Sequence, residues 1–447
     1  MMTVPRTICL GFLALILMGT LFLLLPISLQ SGQWGDWVTA LFTATSAVCV
    51  TGLAVVDTGT YFSGFGQFVL LLLIQIGGLG YMTATTILLL VLGRRFGLRD
   101  KAALQQTLDI EELSGSVQLV KSIIALTALI EISGAIALFA VFSQNPDYGV
   151  GQSLWLAVFH SISAFNNAGF SLFSDSLMGY TSSVPMNLII TTMIILAGIG
   201  YQVLMEAFLW GRDRLRGKPN RTCFSLNFKV ATSTTLVLLL LGFVGFLGAE
   251  FRNPETIGRL DISTKLLASW FMSVTPRTAG FNTIDYGKMT TTGLFITIAL
   301  MFVGASPGST GGGMKTTTLR VLFECTRAVL RGKEEVLCYR RQIPNTLLIK
   351  AIGVVFGSVM TVILTTVLIT LADPEMDFTR VLFEAVSAFA TVGLSTGITA
   401  AVSTFSKLVL IVTMYVGRVG VLMLMLAILG DPKPSAINYP QENLLVG

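Results

Sequence analysis

Charge is what this sequence lacks most. Of its 447 residues only 12% are Asp, Glu, Lys or Arg, about half the share of an ordinary soluble domain. A soluble enzyme of this length is thereby excluded. Histidine is scarcer still, with His160 alone. The five cysteines (Cys9, Cys49, Cys223, Cys325 and Cys338) share no metal-ligand or redox spacing, which argues against a structural metal site. No nucleophile–base pair and no acid pair falls at a common depth, so enzyme chemistry has no candidate residues. The basic residues sit in three clusters: Arg94, Arg95, Arg99 and Lys101; Arg212, Arg214, Arg216, Lys218 and Arg221; and Arg327, Arg331, Lys333, Arg340 and Arg341. None is interleaved with aromatics on a folded domain, which argues against a nucleic-acid partner.

What is abundant is apolar. The chain is 53% hydrophobic, with mean hydropathy +0.78. Runs such as 8–26, 68–92 and 123–142 are long enough for a bilayer, which takes roughly 20 residues. The first run is too long, and too well followed by others, for a cleaved signal peptide. The expectation is a polytopic helical membrane protein in the lipid bilayer. The basic clusters face the cytoplasm by the positive-inside rule, and both termini are placed there. Cys223 and Cys338 fall in these cytoplasmic loops and are expected to be reduced.

Four stretches match when aligned on one glycine. They are TSAVCVTGLAVVD around Gly52, SISAFNNAGFSLFSD around Gly169, MSVTPRTAGFNTID around Gly280 and AVSAFATVGLSTGIT around Gly393. The glycine-to-glycine steps are 117, 111 and 113 residues, and a serine stands six residues earlier in three of them (Ser46, Ser163, Ser387). Each glycine has the same context. A long apolar helix precedes it (about 6–26, 117–143, 228–251 and 347–372). A short segment follows that helix (36–48, 152–165, 263–275 and 377–389), and a second apolar run comes after the glycine (67–92, 185–210, 291–303 with its continuation, and 407–429). As helices the short segments reach roughly 20 Å, less than the ~30 Å hydrocarbon core. Asp36, Ser263 and Asp377 are expected to cap them. The repeats divide the chain into 6–101, 116–221, 228–341 and 347–431, followed by a cytoplasmic tail, 432–447. The fold class is therefore all-α and polytopic, with four helix–pore-helix–helix repeats around one central pore.

Four such repeats would bring four half-helix C-termini to one axis, and their negative dipole ends favour a cation. The strands offer backbone carbonyls from Val50, Thr51 and Gly52, from Asn167, Ala168 and Gly169, from Thr278, Ala279 and Gly280, and from Thr391, Val392 and Gly393. Carbonyl rings can replace the hydration shell of a monovalent cation, and no side-chain carboxylate in these triplets would neutralise a divalent one. Glycine can take the backbone angles that aim consecutive carbonyls inward. Asp57, Asp175 and Asp285 lie five or six residues after their glycines and are expected in an outer vestibule that concentrates cations.

These motifs, AVCVTGLAVVDTGT, HSISAFNNAGFSLF, VTPRTAGFN and SAFATVGL, resemble the TrkH/KtrB superfamily of bacterial Trk and Ktr potassium-uptake membrane subunits, and most closely the Ktr type. The resemblance covers essentially the whole chain, the tail INYPQENLLVG included. It implies channel-like, potential-driven potassium uptake through one pore per chain, with potassium held at the filter and no covalent cofactor. It further implies a homodimer in a bacterial cytoplasmic membrane, a cytosolic KtrA-type regulatory ring that carries the nucleotide, and sodium as an activator. An alternating-access cation symporter and a sodium-permeable family member are the alternatives. Carriers usually show inverted halves, whereas here all four repeats share one orientation.

The third repeat breaks its second helix, reading MFVGASPGSTGGGMKTTTLR over 301–320. Freed backbone in mid-membrane must be satisfied by protein or water. A gate is therefore expected over 304–313, within a wider loop 304–318, from Gly304, Ser306, Gly308, Gly311, Gly312, Gly313 and Lys315; the family's intramembrane loop lies here. The equivalent sites, GGLGY at 77–81, AGIGY at 197–201 and VGRVG at 416–420, read as milder interruptions. Gly308 to Lys315 nearly spells a phosphate-binding loop, but Met314 intrudes and no strand precedes it. Arg418, inside the last apolar run, is expected either to pair with an acid such as Glu206, Glu324 or a C-terminal carboxylate, or to form an electrostatic barrier beside the gate, which the family pattern favours. Arg277 is expected to turn from the axis as a strut. Glu131 and His160 are assigned to packing.

Overall fold

The computed structural model describes residues 3–80, 116–217 and 224–430. The first basic cluster, Lys218, Arg221, Cys223 and the tail 432–447 lie outside the described residues.

Four long helices are apolar enough to cross a membrane: α1 (Val4–Leu24), α5 (Ser116–Phe142), α9 (Leu226–Glu250) and α13 (Asn345–Ala372). Each is followed by a short helix: α2 (Trp37–Val48), α6 (Val150–Phe165), α10 (Ile262–Val274) and α14 (Phe378–Ala390). The short helices have 12 to 16 residues and are buried along most of their C-terminal halves; in α14 every residue from Phe383 to Ala390 is buried. Small Ala, Ser and Thr side chains suit helices packed on all sides. Asp36 accepts the Thr39 amide at 2.9 Å and Asp377 the Arg380 amide at 3.1 Å. The expected cap Ser263 is wrong by two residues. Asp261 caps α10 through the Thr264 amide at 3.2 Å, and the Ser263 hydroxyl donates to the same carboxylate. A carboxylate at the N-cap takes both donors and also meets the helix dipole. In α6 the N-cap is Gly149, with no side-chain cap.

After each glycine segment the chain runs back into a further helix: α4 (Gly64–Leu79), after the short α3 (Thr58–Tyr61), then α7 (Val184–Ile199), α11 (Thr291–Phe302) and α15 (Thr404–Val419). These helices close the fold. Within their own repeats, α4, α7 and α15 pack on the preceding short helix, whereas α11 packs on α9. Across repeats, α4 packs on α6, α7 on α10, α11 on α14, and α15 returns to α2. The chain order thus becomes a closed circle.

The interruptions expected to be mild are sharp. At Gly200 the chain turns by 105° into α8 (Tyr201–Leu215), and at Gly420 by 94° into α16 (Val421–Leu429). Gly80, Gly200 and Gly420 have φ of +81°, +99° and +90°, which an L side chain rarely adopts. In repeat three a loop intervenes before α12 (Thr316–Leu330). Beyond α12 comes a small hairpin, Leu337–Cys338 paired with Arg341–Gln342, its turn made by Tyr339 and Arg340 at φ +50° and +63°. The chain is a multi-pass helical membrane protein; among the described residues the only extended pairing is this hairpin and two isolated bridges.

Candidate functional site

The four glycine segments meet at the centre of the circle, each directly after the C-terminus of a short helix. Val50, Asn167, Thr278 and Thr391, two residues before the glycines, have φ of +49°, +55°, +73° and +52°. The glycines have φ of +89°, +68°, +79° and +89°. The residues between keep negative φ. Such alternation of hand gathers successive N–H groups on one side of the strand and leaves the carbonyls to the other. The N–H side faces the short helix. Thr51 N donates to Ser46 O at 2.7 Å and Gly52 N to Ser46 Oγ at 3.0 Å. Val392 N and Gly393 N do the same with Ser387, at 2.9 and 3.1 Å. In repeat two Ala168 N donates to Ser163 O at 2.8 Å, and the Ser163 hydroxyl donates to Phe170 O at 2.7 Å. Repeat three uses Thr275 in this place, accepting from Ala279 N at 3.0 Å and donating to Phe281 O at 2.7 Å. The serine noticed in the sequence alignment therefore anchors the strand.

The ring is tight enough that each glycine excludes a side chain against its neighbour. A Cβ on Gly52 would lie 2.4 Å from Ala168 O, one on Gly169 2.7 Å from Ala279 O, one on Gly280 2.2 Å from Val392 O, and one on Gly393 2.1 Å from Thr51 O. The contacts run from repeat one to two, three, four and back to one. All twelve residues of the four triplets come together, and the eight that are not glycine are fully buried. Asn167 Nδ2 reaches Thr278 Oγ1 at 3.4 Å, linking two neighbouring repeats.

On one side of the ring lies an open cavity of about 400 Å³ lined by all four glycines, with Asp57 and Asp285 in its wall. Both aspartates also cap short turns: Asp57 accepts the Gly59 amide at 2.9 Å and Asp285 the Gly287 amide at 2.9 Å, and Asp285 forms an ion pair with Lys288 Nζ at 3.9 Å. Asp175 departs from expectation. It is exposed, accepts the Gly179 amide at 3.0 Å, and is not part of the cavity wall, which its neighbours Ser174 and Ser176 join. The extra residue between glycine and aspartate in repeat two turns it outward. Sequence reading missed Glu384 altogether. It is 1% exposed and bonded to Ser395 and Thr399 of the cavity wall.

On the other side the loop of repeat three crosses beneath the ring. A Cβ on Gly311 would meet Thr278 Oγ1 at 2.2 Å, and one on Gly312 would meet Thr391 Oγ1 at 2.4 Å. Gly312 N donates to Thr391 Oγ1 at 3.1 Å. The loop is fastened at several points. Ser306 N donates to Gly198 O at 2.9 Å, and Tyr201 N to Gly308 O at 2.9 Å, stitching it into the break at Gly200. Ser306 and Thr316 hydroxyls are 2.8 Å apart. Lys315 Nζ donates to Gly311 O at 2.7 Å. A glycine is required at 304, where a Cβ would lie 2.3 Å from Gly312 O, and Gly313 has φ +67°. Beyond the loop is a second cavity of about 210 Å³, lined by Gly78, Tyr201, Gly308, Gly311, Lys315 and Arg418 among others.

Among the described residues Arg418 pairs with no acid. Its guanidinium donates to the carbonyls of Thr310, Gly77 and Gly78, the last at 3.3 Å. It joins the loop to the last turn of α4. Glu206 instead accepts from Ser225 N at 3.0 Å, and Glu324 pairs with Arg320 at 2.7 Å and Arg327 at 3.5 Å. Arg277, 6% exposed, turns its head to Thr235 O and Gly304 O, both at 3.4 Å. Glu131 bonds Gln75 and Asn166 at 3.2 and 3.1 Å, and His160 bonds Leu156 O and Ser171 Oγ at 2.8 and 3.0 Å. The near-match to a phosphate-binding loop packs instead under the glycine ring, with Met314 bridged to Val303. Among the described residues no group of three His, Cys, Asp or Glu could hold a metal.

A family model described as "TrkH: Cation transport protein" matches residues 12–438. The chain belongs to the TrkH cation transport family. It is a transport protein of that family and not an enzyme. The Ktr system potassium uptake protein B of Bacillus subtilis is 40% identical over 445 residues, covering 100% of this chain and 97% of that protein. The protein of the same name from Vibrio alginolyticus is 39% identical, covering 99% and 95%. The potassium/sodium uptake protein NtpJ of Enterococcus hirae is 36% identical, covering 99% and 97%. The crystal structure of the potassium transporter TrkH from Vibrio parahaemolyticus matches with a TM-score of 0.73 at 20% identity, over 94% of this chain and 85% of that one, which places the TrkH fold.

Proposed function

We propose that this TrkH-family protein is a channel-like potassium uptake protein of a bacterial cytoplasmic membrane. The observation that carries the reading is the closed circle of four glycines in chain order, each against its neighbour's carbonyl. Val50 to Gly52, Asn167 to Gly169, Thr278 to Gly280 and Thr391 to Gly393 serve as a selectivity filter of main-chain oxygens that take the place of an alkali cation's water. The half-helix C-termini add negative potential at the same point. Asp57 and Asp285 draw cations into the outer cavity. An inside-negative potential supplies ~2.3 kcal/mol per charge per 100 mV for uptake.

The loop 304–313 is the gate, held shut by Arg418, Lys315 and Arg277, and Arg418 adds a positive barrier beside it. Relatives named as parts of Ktr systems support a partner subunit. The proposed assembly is a homodimer on a cytosolic nucleotide-binding ring, with sodium as an activator. A name among the relatives that pairs potassium with sodium makes both ions arms of the test. Purified protein in liposomes should take up potassium and rubidium well above sodium, and more so with its partner. Equal permeation by sodium would replace the potassium reading with a sodium-permeable one. Uptake locked to a second ion at fixed stoichiometry would replace the channel with a carrier.

A further inference from the structure

The wall of the outer cavity is not four-fold in charge. Repeats one and three place an aspartate five residues after the glycine, Asp57 and Asp285, and both line the cavity. Repeat four has Ile398 there, buried in the apolar core. Its carboxylate comes from elsewhere. Glu384 lies nine residues before Gly393, on the buried C-terminal half of α14, at the position held by Thr43, His160 and Phe271 in the other repeats. One of its oxygens accepts from the Ser395 hydroxyl and from the Thr396 amide at 3.2 Å. The other accepts from Thr399 Oγ1 at 3.0 Å. Ser395 and Thr399 both line the cavity. With both hydroxyl protons given to Glu384, the Ser395 oxygen accepts from the Gly397 amide at 2.9 Å and lies 2.8 Å from Thr399 Oγ1.

We infer that Glu384 is the fourth repeat's cation-attracting group, acting on the outer mouth from behind a wall of two hydroxyls. The inference rests on the proposed pathway and deepens it. In each of these bonds the carboxylate can act as acceptor, the role an ionised carboxylate must take. A buried charge needs such bonds to persist. Low-dielectric surroundings carry its field farther than water would, and the nearest open space along that field is the cavity above Gly393. The Ser395 and Thr399 hydroxyls, polarised by donating to Glu384, pass its negative potential to the cavity wall they form. His160 occupies the corresponding place in repeat two and bonds Ser171, so the same position in the opposite repeat keeps a bond to the strand without an acid. Glu384 is thus a positioning and electrostatic residue; it does not itself touch the ion.

The test is rubidium uptake against concentration in liposomes loaded with potassium chloride, at low ionic strength, for the wild type, Glu384→Gln and Glu384→Asp. Gln keeps the shape and removes the charge. The expected result is a KM raised roughly three- to tenfold with little change in maximal rate, shrinking as salt screens the mouth. Should Glu384→Gln fail to fold, Glu384→Asp is read in its place, with a smaller KM rise expected. An unchanged KM, or a loss confined to maximal rate and thermal stability, overturns the inference and leaves Glu384 a structural clamp. A wild type that takes up no rubidium overturns the pathway reading itself.

Discussion

At the scale of single residues the account rests on backbone geometry that a Cβ cannot enter. The four central glycines combine positive φ with a neighbouring carbonyl closer than any side chain permits. Serine at Gly52, Gly169, Gly280 or Gly393 must therefore push two repeats apart or twist a carbonyl off axis. The expected outcome is a loss of discrimination between potassium and sodium, measured by competing uptake in liposomes; unchanged discrimination in all four variants refutes the filter assignment. The glycines could be picked out in the sequence because they recur at near-constant spacing. The left-handed residues two places earlier could not, since Val50, Thr278 and Thr391 are β-branched residues that rarely take positive φ, and Asn167 alone is of a type enriched there. Glu384 was equally hidden. It sits in an apolar stretch, and its partners Ser395 and Thr399 are brought to it only when the chain reverses at Gly393.

At the scale of elements, caps and tethers decide. The short helices could be foreseen from length, but their ends could not be placed to the residue, as Asp261 in place of Ser263 illustrates. Hydrogen bonds from Ser263 and Thr264 hold the Asp261 carboxyl below the ordinary Asp range. A lowered folded-state value means the cap contributes fully above about pH 4 and fades as pH falls through that lowered value. Asp261→Ala should lower the thermal midpoint at neutral pH by removing the cap, with the difference from wild type narrowing in acid. The loop of repeat three was visible from its glycines and proline. What binds it was not, because carbonyl partners carry no sequence signature: Arg418 reaches Thr310, Gly77 and Gly78, and acids were the partners weighed in advance. Arg418→Ala, or removal of 304–313, should raise cation flux per folded protein. Flux equal to or below wild type, with monodisperse protein, would remove the gate from the account.

At the scale of the whole molecule, one chain makes the four-fold site that would otherwise need four subunits. The long apolar helices and the repeat order were legible because membrane spans need sustained hydrophobicity. The closure was not. It depends on α15 returning to pack on α2, a contact between the two ends of the chain that no local pattern announces. The same linkage lets the repeats differ, so that one carries the loop, two carry an aspartate in the cavity wall, and a fourth supplies its acid from behind. The most direct measurement is crystallographic: anomalous scattering from protein crystallised in a rubidium salt. The account predicts a single strong peak on the axis among the carbonyls of residues 50–52, 167–169, 278–280 and 391–393. Protein that transports rubidium yet shows no peak there, or places it away from the four glycines, would contradict it.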